Sequence, residues 1–219
     1  MSSFENLRIV DNFYQTSLYY PMPTVVVSTL AEDGSTSLGP YSLIAPYYVA
    51  GKSYYAILLN CRNSSNTAQH ILRTGKCAIN FINDDPKNFK EAVKLSWPGD
   101  EPKDKMPNCK FPLEQSQIME ENPEDVRPKV ISDAIQVLEC TWMRELDGAD
   151  RDQPGELHGF NGITSEFGAH FILRIDRILM KKKYADAIIA GVRSRDFPPR
   201  PAPEGCGDRA VQFSERHRG

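Results

Sequence analysis

Apolar and polar residues alternate in short bursts along most of this chain, and the bursts read mainly as β-strands. Residues 24–30, Thr-Val-Val-Val-Ser-Thr-Leu, are short and β-branched, which favours a strand. Asp33-Gly34 follows as a tight turn into Ser35-Thr36-Ser37-Leu38, so a hairpin is expected. Ser53 to Asn60 and Cys77 to Ile82 read as two buried strands. Ala134 to Leu146 and His170 to Met180 are longer and mixed, consistent with two more. One helix falls between Asn60 and Gly75, and another is expected over Asp85 to Leu95, with Phe89, Ala92, Val93 and Leu95 on one side. Strands dominate with one or two inserted helices. That spacing points to a closed or partly closed antiparallel barrel rather than a doubly wound parallel sheet.

Two stretches break the pattern. Residues 96–128 carry Pro98, Pro102, Pro107, Pro112, Pro123 and Pro128 among many charges, a long excursion expected to have little core of its own. Such excursions serve as lids or binding loops, and a plain surface insertion is the equal alternative. Residues 147–169 form a second polar, glycine-rich connection. From Asp196 the chain holds Pro198, Pro199, Pro201 and Pro203, which exclude a regular element there. The expected organisation is one domain over 1–195, containing the 96–128 excursion, and a tail or arm over 196–219.

Residues 60–75, Asn-Cys-Arg-Asn-Ser-Ser-Asn-Thr-Ala-Gln-His-Ile-Leu-Arg-Thr-Gly, carry the densest chemistry. They follow the apolar run Tyr54 to Leu59 and close on Gly75, which suits a left-handed helix stop. A helix start leaves N–H groups unpaired and partly positive, so it suits an anion. Arg62 adds a planar guanidinium, and Ser64, Ser65 and Thr67 add hydroxyl donors. The segment reads as a pocket for one terminal phosphate. Ordinary helix capping by Ser and Asn is the competing explanation.

Composition narrows the classes. Hydrophobic content of 40%, charged content of 25% and a net charge of −3 fit a globular chain and give no basic surface for nucleic acid. Lys181-Lys182-Lys183 is the one basic run and reads as a solvated strand end. No apolar run reaches the roughly 18 residues of a membrane span, so no membrane partner is expected. Met1-Ser2-Ser3-Phe4-Glu5-Asn6 lacks the blocks of a signal peptide, and the cytoplasm is the expected compartment. Cys61, Cys77, Cys109, Cys140 and Cys206 are scattered without a C-x-x-C pair, which disfavours a disulfide framework or zinc knuckle. Cys77 and Cys140 read as small core residues, and Cys61 as the one thiol to test for reactivity. The four histidines, His70, His158, His170 and His217, lack metal-ligand spacing, so no metal is expected. There is no G-x-G-x-x-G, Walker A or G-x-S-x-G motif. A bound cofactor is therefore the expected source of any chemistry.

Pro21-Met22-Pro23-Thr24-Val25-Val26-Val27-Ser28-Thr29, then Asp33-Gly34, then Gly39-Pro40-Tyr41-Ser42-Leu43, resemble the opening of the flavin reductase-like, FMN-binding family. Residues 60–75 match its next block, with His70 where the family has Asn and with Ile71 and Thr74-Gly75 retained. Cys77-Ala78-Ile79-Asn80-Phe81 resembles the strand that follows. Leu138-Glu139-Cys140 and Gly168-Ala169-His170 resemble its L-E-C and G-D-H segments more loosely, with Ala169 in place of Asp.

The resemblance implies a split β-barrel homodimer with FMN near the subunit boundary. By position, Arg62, Ser64, Ser65 and Thr67 would hold the phosphate. Tyr41, Ser42 and Leu43 would line the ring and offer backbone N–H and C=O groups to its polar edge. Asn60 and Asn80 would sit near the ribityl chain or ring edge, although Asn80 equally suits a role satisfying backbone groups. His170 is a weak catalytic candidate, with a strand-end role as the alternative. NADH or NADPH would be the donor, and a flavin or other small molecule the acceptor. Tyr48, Trp97 and Phe111 are candidate walls of the acceptor pocket. The other readings are a non-catalytic FMN carrier or flavin store, an interaction module on a barrel without cofactor, and a single-strand nucleic-acid barrel.

Overall fold

Strand β1 (Val25–Leu30) is buried at all six positions, because its two faces pack into two different cores. It runs antiparallel to β2 (Thr36–Tyr41) across the expected turn. Gly34 there has φ 79°, a conformation that favours glycine, and the Ser35 N–H donates to Asp33 Oδ1 at 2.9 Å. The computed structural model describes residues 22–47, 54–96, 101–144 and 161–193. The expected arm over 196–219 lies outside them, as do Tyr48, Trp97 and most of the 147–169 connection.

The other strands are β3 (Ile44–Tyr47), β4 (Ala56–Arg62), β5 (Lys76–Phe81), β6 (Leu113–Glu114), β7 (Val130–Ile131), β8 (Gln136–Trp142), β9 (Gly162–Ile163) and β10 (Gly168–Met180). The main sheet is antiparallel throughout, in the order β2-β1-β5-β8-β10-β4-β3, with β9 added beside β10. Its two edges, β2 and β3, are separated in the chain by only Ser42 and Leu43. A sheet whose opposite edges are so tethered has to curl, and it does so into a split barrel with a seam at those two residues. The 13-residue β10 pairs with β4 through its first half and with β8 through its second. Its register shifts between Ile175 and Arg177, the irregularity that lets one strand turn the barrel's corner.

Inside the barrel lie Val25, Val27, Leu59, Cys77, Ile79, Cys140, Phe171 and Leu173, none more than 1% exposed. Helix α1 (Asn66–Thr74) packs onto this core with Ala68 and Ile71, both fully buried. Burying a side chain such as Ile71 contributes about 1.5–3 kcal/mol. The helix stops at Gly75, whose φ is 71° and whose N–H donates to the Ile71 carbonyl at 2.8 Å.

The outer face of β1 and β5 carries a second core, and here the expectation for residues 96–128 needs correcting. Val26, Leu38 and Ala78 pack with Ala92 and Leu95, at and beyond the end of α2 (Pro86–Lys94). Phe111, Val130 and Ile131 complete the same cluster. The excursion folds as α3 (Pro102–Lys105), a 3-10 turn (Met106–Asn108), β6 and α4 (Gln117–Glu121), returning through β7. It contributes apolar anchors of its own, which its prolines and charges concealed. The buried Glu91 ties it down further, since the Lys110 N–H donates to Glu91 Oε1 at 2.8 Å. The buried Ser116 hydroxyl donates to the buried Glu139 carboxylate on β8. The excursion therefore covers the outside of the sheet, and Phe111 is part of that core rather than of an acceptor pocket.

Lys181 to Lys183 follow the end of β10 and are exposed, a solvated strand end that also opens a helix. The strand ends at Met180 and α5 (Lys182–Arg193) begins within the basic run, with Lys182 Nζ 2.7 Å from Asp186 Oδ2 one turn on. Among the described residues no helix is long and apolar enough to cross a membrane.

Candidate functional site at the barrel seam

Alternation sorts the end of β4 into two faces. Ile57, Leu59 and Cys61 face the interior core, so Asn60 and Arg62 share the outer face. On β10, Ala169 and Phe171 face inward, and His170, directly opposite Asn60, shares that outer face. Gly168 lies opposite Arg62. The seam adjoins them, because the Asn60 N–H donates to the Leu43 carbonyl at 2.9 Å. Arg62, Asn60, His170 and the Ser42-Leu43 seam are thus brought to one corner.

The loop after Arg62 is built tightly. Ser65 is the N-cap of α1: its hydroxyl accepts from the Ala68 N–H at 3.1 Å and donates to the Arg62 carbonyl at 2.8 Å. That hydroxyl is engaged in shaping the loop. Thr67 is 4% exposed and packs beneath the helix start against β2. A Cβ built on Gly39 would come within 2.9 Å of Thr67 Oγ1 and 3.2 Å of the Tyr41 ring, so only glycine permits this approach. Burial pushes the Tyr41 phenol up, helped by nearby Cys61, while hydrogen bonding with the Ser65 and Thr67 hydroxyls partly offsets it. The Tyr41 side chain is half-buried and packs against the interior core beneath the helix start. Arg62 and Ser64 remain exposed. Arg62 has no ionic partner among the described residues, α1 has no acidic residue in its first turn, and residues 60–69 hold none at all.

At the seam itself, the Ser42 carbonyl accepts from the Ile44 N–H at 3.0 Å and the Leu43 carbonyl from Asn60. Each carbonyl therefore accepts one hydrogen bond within the fold. The N–H groups of Ser42 and Leu43 find no partner among the described residues.

Asn80 is not at this corner. It lies on β5, three strand spacings or about 14 Å from β4 through the sheet. Its side chain is fully buried: Nδ2 donates to the Val26 carbonyl and Ser28 Oγ, both at 2.8 Å, and Oδ1 accepts from the Ile131 N–H at 2.8 Å. These bonds join β1, β5 and β7, the backbone-satisfying role that was its alternative. Cys61 is also set apart from reactivity. Its thiol is pushed up to about 12, chiefly by burial and further by nearby Cys77, against an opposing Ser65 contact, so it stays protonated.

Asn63 was passed over as one more polar residue of the cluster. Its Nδ2 donates to the carbonyls of Ser165 (3.2 Å) and Glu166 (2.5 Å), its N–H to the Phe167 carbonyl (3.0 Å), and its own carbonyl accepts from Gln69 Nε2 (2.6 Å). It clamps the Arg62 loop to the β9–β10 turn a hundred residues away. Nothing local in the sequence marks that partner.

His70, where the resembled family carries Asn, is a packing residue. It is 7% exposed, and its Nδ1 lies 2.9 Å from Thr29 Oγ1. Burial lowers its pKa, with Arg73 and Lys105 adding to this and Glu32 and Asp33 opposing. A histidine depressed in the folded state contributes stability above its unfolded pKa, near 6.5, that is lost as pH falls through the folded value. His170 is also lowered by burial and adds in the same direction. Replacing His70 by Asn should flatten the fall in thermal midpoint as the pH drops below about 6.5. Melting curves over that range would show an unaltered slope if His70 carried no such linkage.

No family model matches the sequence, and no curated protein sequence matches it. Solved structures do. The chain superposes on a 2-nitrobenzoate 2-nitroreductase from Pseudomonas fluorescens with TM-score 0.61 and 16% identity, covering 88% of this chain and 85% of that one. Flavoredoxin from Methanosarcina acetivorans gives TM-score 0.57 and 14% identity, covering 83% and 78%. An FMN-binding protein from Thermus thermophilus gives 0.56 and 14%, covering 85% of each. The chain has the fold of these flavin reductase-like, FMN-binding split barrels.

Proposed function

We propose that this chain is an FMN-dependent oxidoreductase that passes reducing equivalents from NADH or NADPH to a flavin or another small-molecule acceptor. The observation that carries the reading is the exposed Arg62, ion-pair-free among the described residues, beside a helix start and seam that hold no acidic group. A guanidinium, the Ser64 hydroxyl and the partly positive end of α1 suit a phosphate monoester. Ser65, Thr67, Tyr41 and Gly39 hold that loop in shape rather than touch the ligand. The N–H groups of Ser42 and Leu43 suit the polar edge of a flat ring, with Asn60 and His170 on the adjoining outer face. When bound, FMN supplies the redox chemistry, and the chain's own task is to position it and leave a face open for the donor. The fold shared with proteins named as a nitroreductase, a flavoredoxin and an FMN-binding protein supports the reading. The reading includes a homodimer, which sedimentation would test.

Purified chain loaded with FMN and mixed anaerobically with NADH or NADPH is the deciding experiment. Loss of the oxidised flavin absorbance within seconds is expected. A chain that holds FMN but stays oxidised with either donor is a carrier or flavin store, and the enzymatic reading falls.

A further inference from the structure

Asn63 stands between Arg62 and Ser64, the two exposed side chains that the proposed site offers to a phosphate, and four hydrogen bonds hold it. The β4–β10 ladder runs one rung past Arg62 and Gly168, because the Asn63 N–H donates to the Phe167 carbonyl. Its Nδ2 donates to the Ser165 and Glu166 carbonyls, and its own carbonyl accepts from Gln69 Nε2 on α1. One half-buried residue thus joins the end of β4, the first helix and the β9–β10 turn. The peptide before it is held as well. The Arg62 carbonyl accepts from the N–H and the hydroxyl of Ser65, at 3.1 and 2.8 Å.

The anchor is itself closed by hydrogen bonds. The N–H groups of Phe167 and Gly168 donate to Ser165 Oγ at 3.3 and 2.9 Å. Those of Thr164 and Ser165 donate to the Gly168 carbonyl at 3.0 and 3.3 Å. A Cβ built on Gly168 would meet Ser165 Oγ at 3.0 Å, so the turn folds closely onto the start of β10. A long side chain on an untethered loop has to be ordered when an anion binds, and that ordering subtracts from affinity. Here the backbone beneath the guanidinium is tied down before any ligand arrives. We infer that Asn63 is a positioning residue for the phosphate, which touches no ligand and acts by holding Arg62 against the β9–β10 turn. A turn 102 residues further along the chain thereby sets the affinity of the corner. This rests on the phosphate reading of Arg62 given above.

FMN titrations at fixed salt into the full chain, Asn63→Ala, Arg62→Ala and the double variant test it. Asn63→Ala should weaken FMN by roughly 2- to 13-fold, the cost of ordering one long side chain on binding. In the Arg62→Ala background the same change should alter Kd by less than about twofold, because the group it positions is gone. Ser165→Ala is an exposed change that removes the hydroxyl closing the turn. It should weaken FMN in the native background and leave Kd unmoved in the Asn63→Ala background. Melting curves of the flavin-free variants report the structural part, which should be the same with and without Arg62. An equal loss of affinity in both Arg62 backgrounds would reduce Asn63 to a structural residue and overturn the inference, as would an unchanged Kd for Asn63→Ala. Should Asn63→Ala fail to fold, Ser165→Ala and the exposed Gln69→Ala carry the test, and two unchanged Kd values would overturn it. If Arg62→Ala leaves FMN binding as it was, the phosphate reading itself fails. If Arg62→Ala weakens FMN and Asn63→Ala does not, only this inference fails.

Discussion

Arg62→Ala is expected to weaken FMN binding by about 1.5–3 kcal/mol, the range for a hydrogen bond to a charged group. That is roughly 10- to 150-fold in Kd. The side chain is exposed and has no ionic partner among the described residues, so the substitution takes away the proposed phosphate contact without opening a hole in the fold. The thermal midpoint of the flavin-free chain should stay where it is. Lysine at the same place should recover part of the affinity, since it keeps the charge but loses the two-pronged geometry that fits a phosphate. Titration with FMN at fixed salt is the measurement. An unchanged Kd would remove the phosphate from this corner, and with it the main physical support for the flavin site.

The second large effect is on stability. Arg127→Ala should destabilise the chain by about 3–5 kcal/mol, the usual cost of removing one member of a buried ionic group. The Arg127 side chain is 4% exposed, with Nη2 at 2.9 Å from Asp125 and Nη1 at 3.0 Å from Asp176. Asp125 is shared with Lys76 at 3.0 Å, and Asp176 also takes hydrogen bonds from Arg174 Nε and the Thr141 hydroxyl. This network staples the returning end of the excursion to β5, β8 and β10. Asp176 is 12% exposed, and without Arg127 it would keep only Arg174 and the Thr141 hydroxyl as partners. Burial pushes Asp125 up, but hydrogen bonds from Arg127 and Lys76 outweigh it and hold its carboxyl below the usual range. A carboxylate held low contributes stability above its unfolded pKa, near 3.9, that is lost as pH falls through the folded value. The penalty of Arg127→Ala should therefore shrink below about pH 4. Denaturant unfolding at pH 7 and pH 3.5 would test both parts. A loss under 1 kcal/mol at pH 7 would show that the network is solvated rather than stapling.

Strands and turns were legible because their causes are local. The β-branched run before Leu30, the Asp33-Gly34 turn and the helix stop at Gly75 each depend on the conformational freedom of a few residues, and all appear where expected. The loop between Arg62 and Thr67 was legible as a helix start for the same reason. Less legible was which hydroxyl would be spent on the fold. Ser65 and Ser64 are neighbours of one type, yet the former caps the helix and the latter faces water. Asn80 showed the same ambiguity, resolved by three partners on β1 and β7 that are distant in the chain. Proline content misled about residues 96–128, because Pro102 and Pro107 sit in first turns, where proline is tolerated, and Phe111 and Leu113 still reach a core. The helix at Lys182 was hidden by reading charge alone, when Tyr184, Ile188 and Ile189 recur at helical spacing behind it.

By itself, then, the order of residues determined the strands, the tight turns and a helix start free of acid after Arg62, since each follows from backbone preference and side-chain type within a few positions. Only the tertiary structure decided that β2 and β3 become the two lips of a seam, that Asn63 ties Arg62 to Phe167, and that the excursion backs the sheet. Those outcomes depend on contacts between segments far apart in the chain, made only when a curled sheet brings them to the same place.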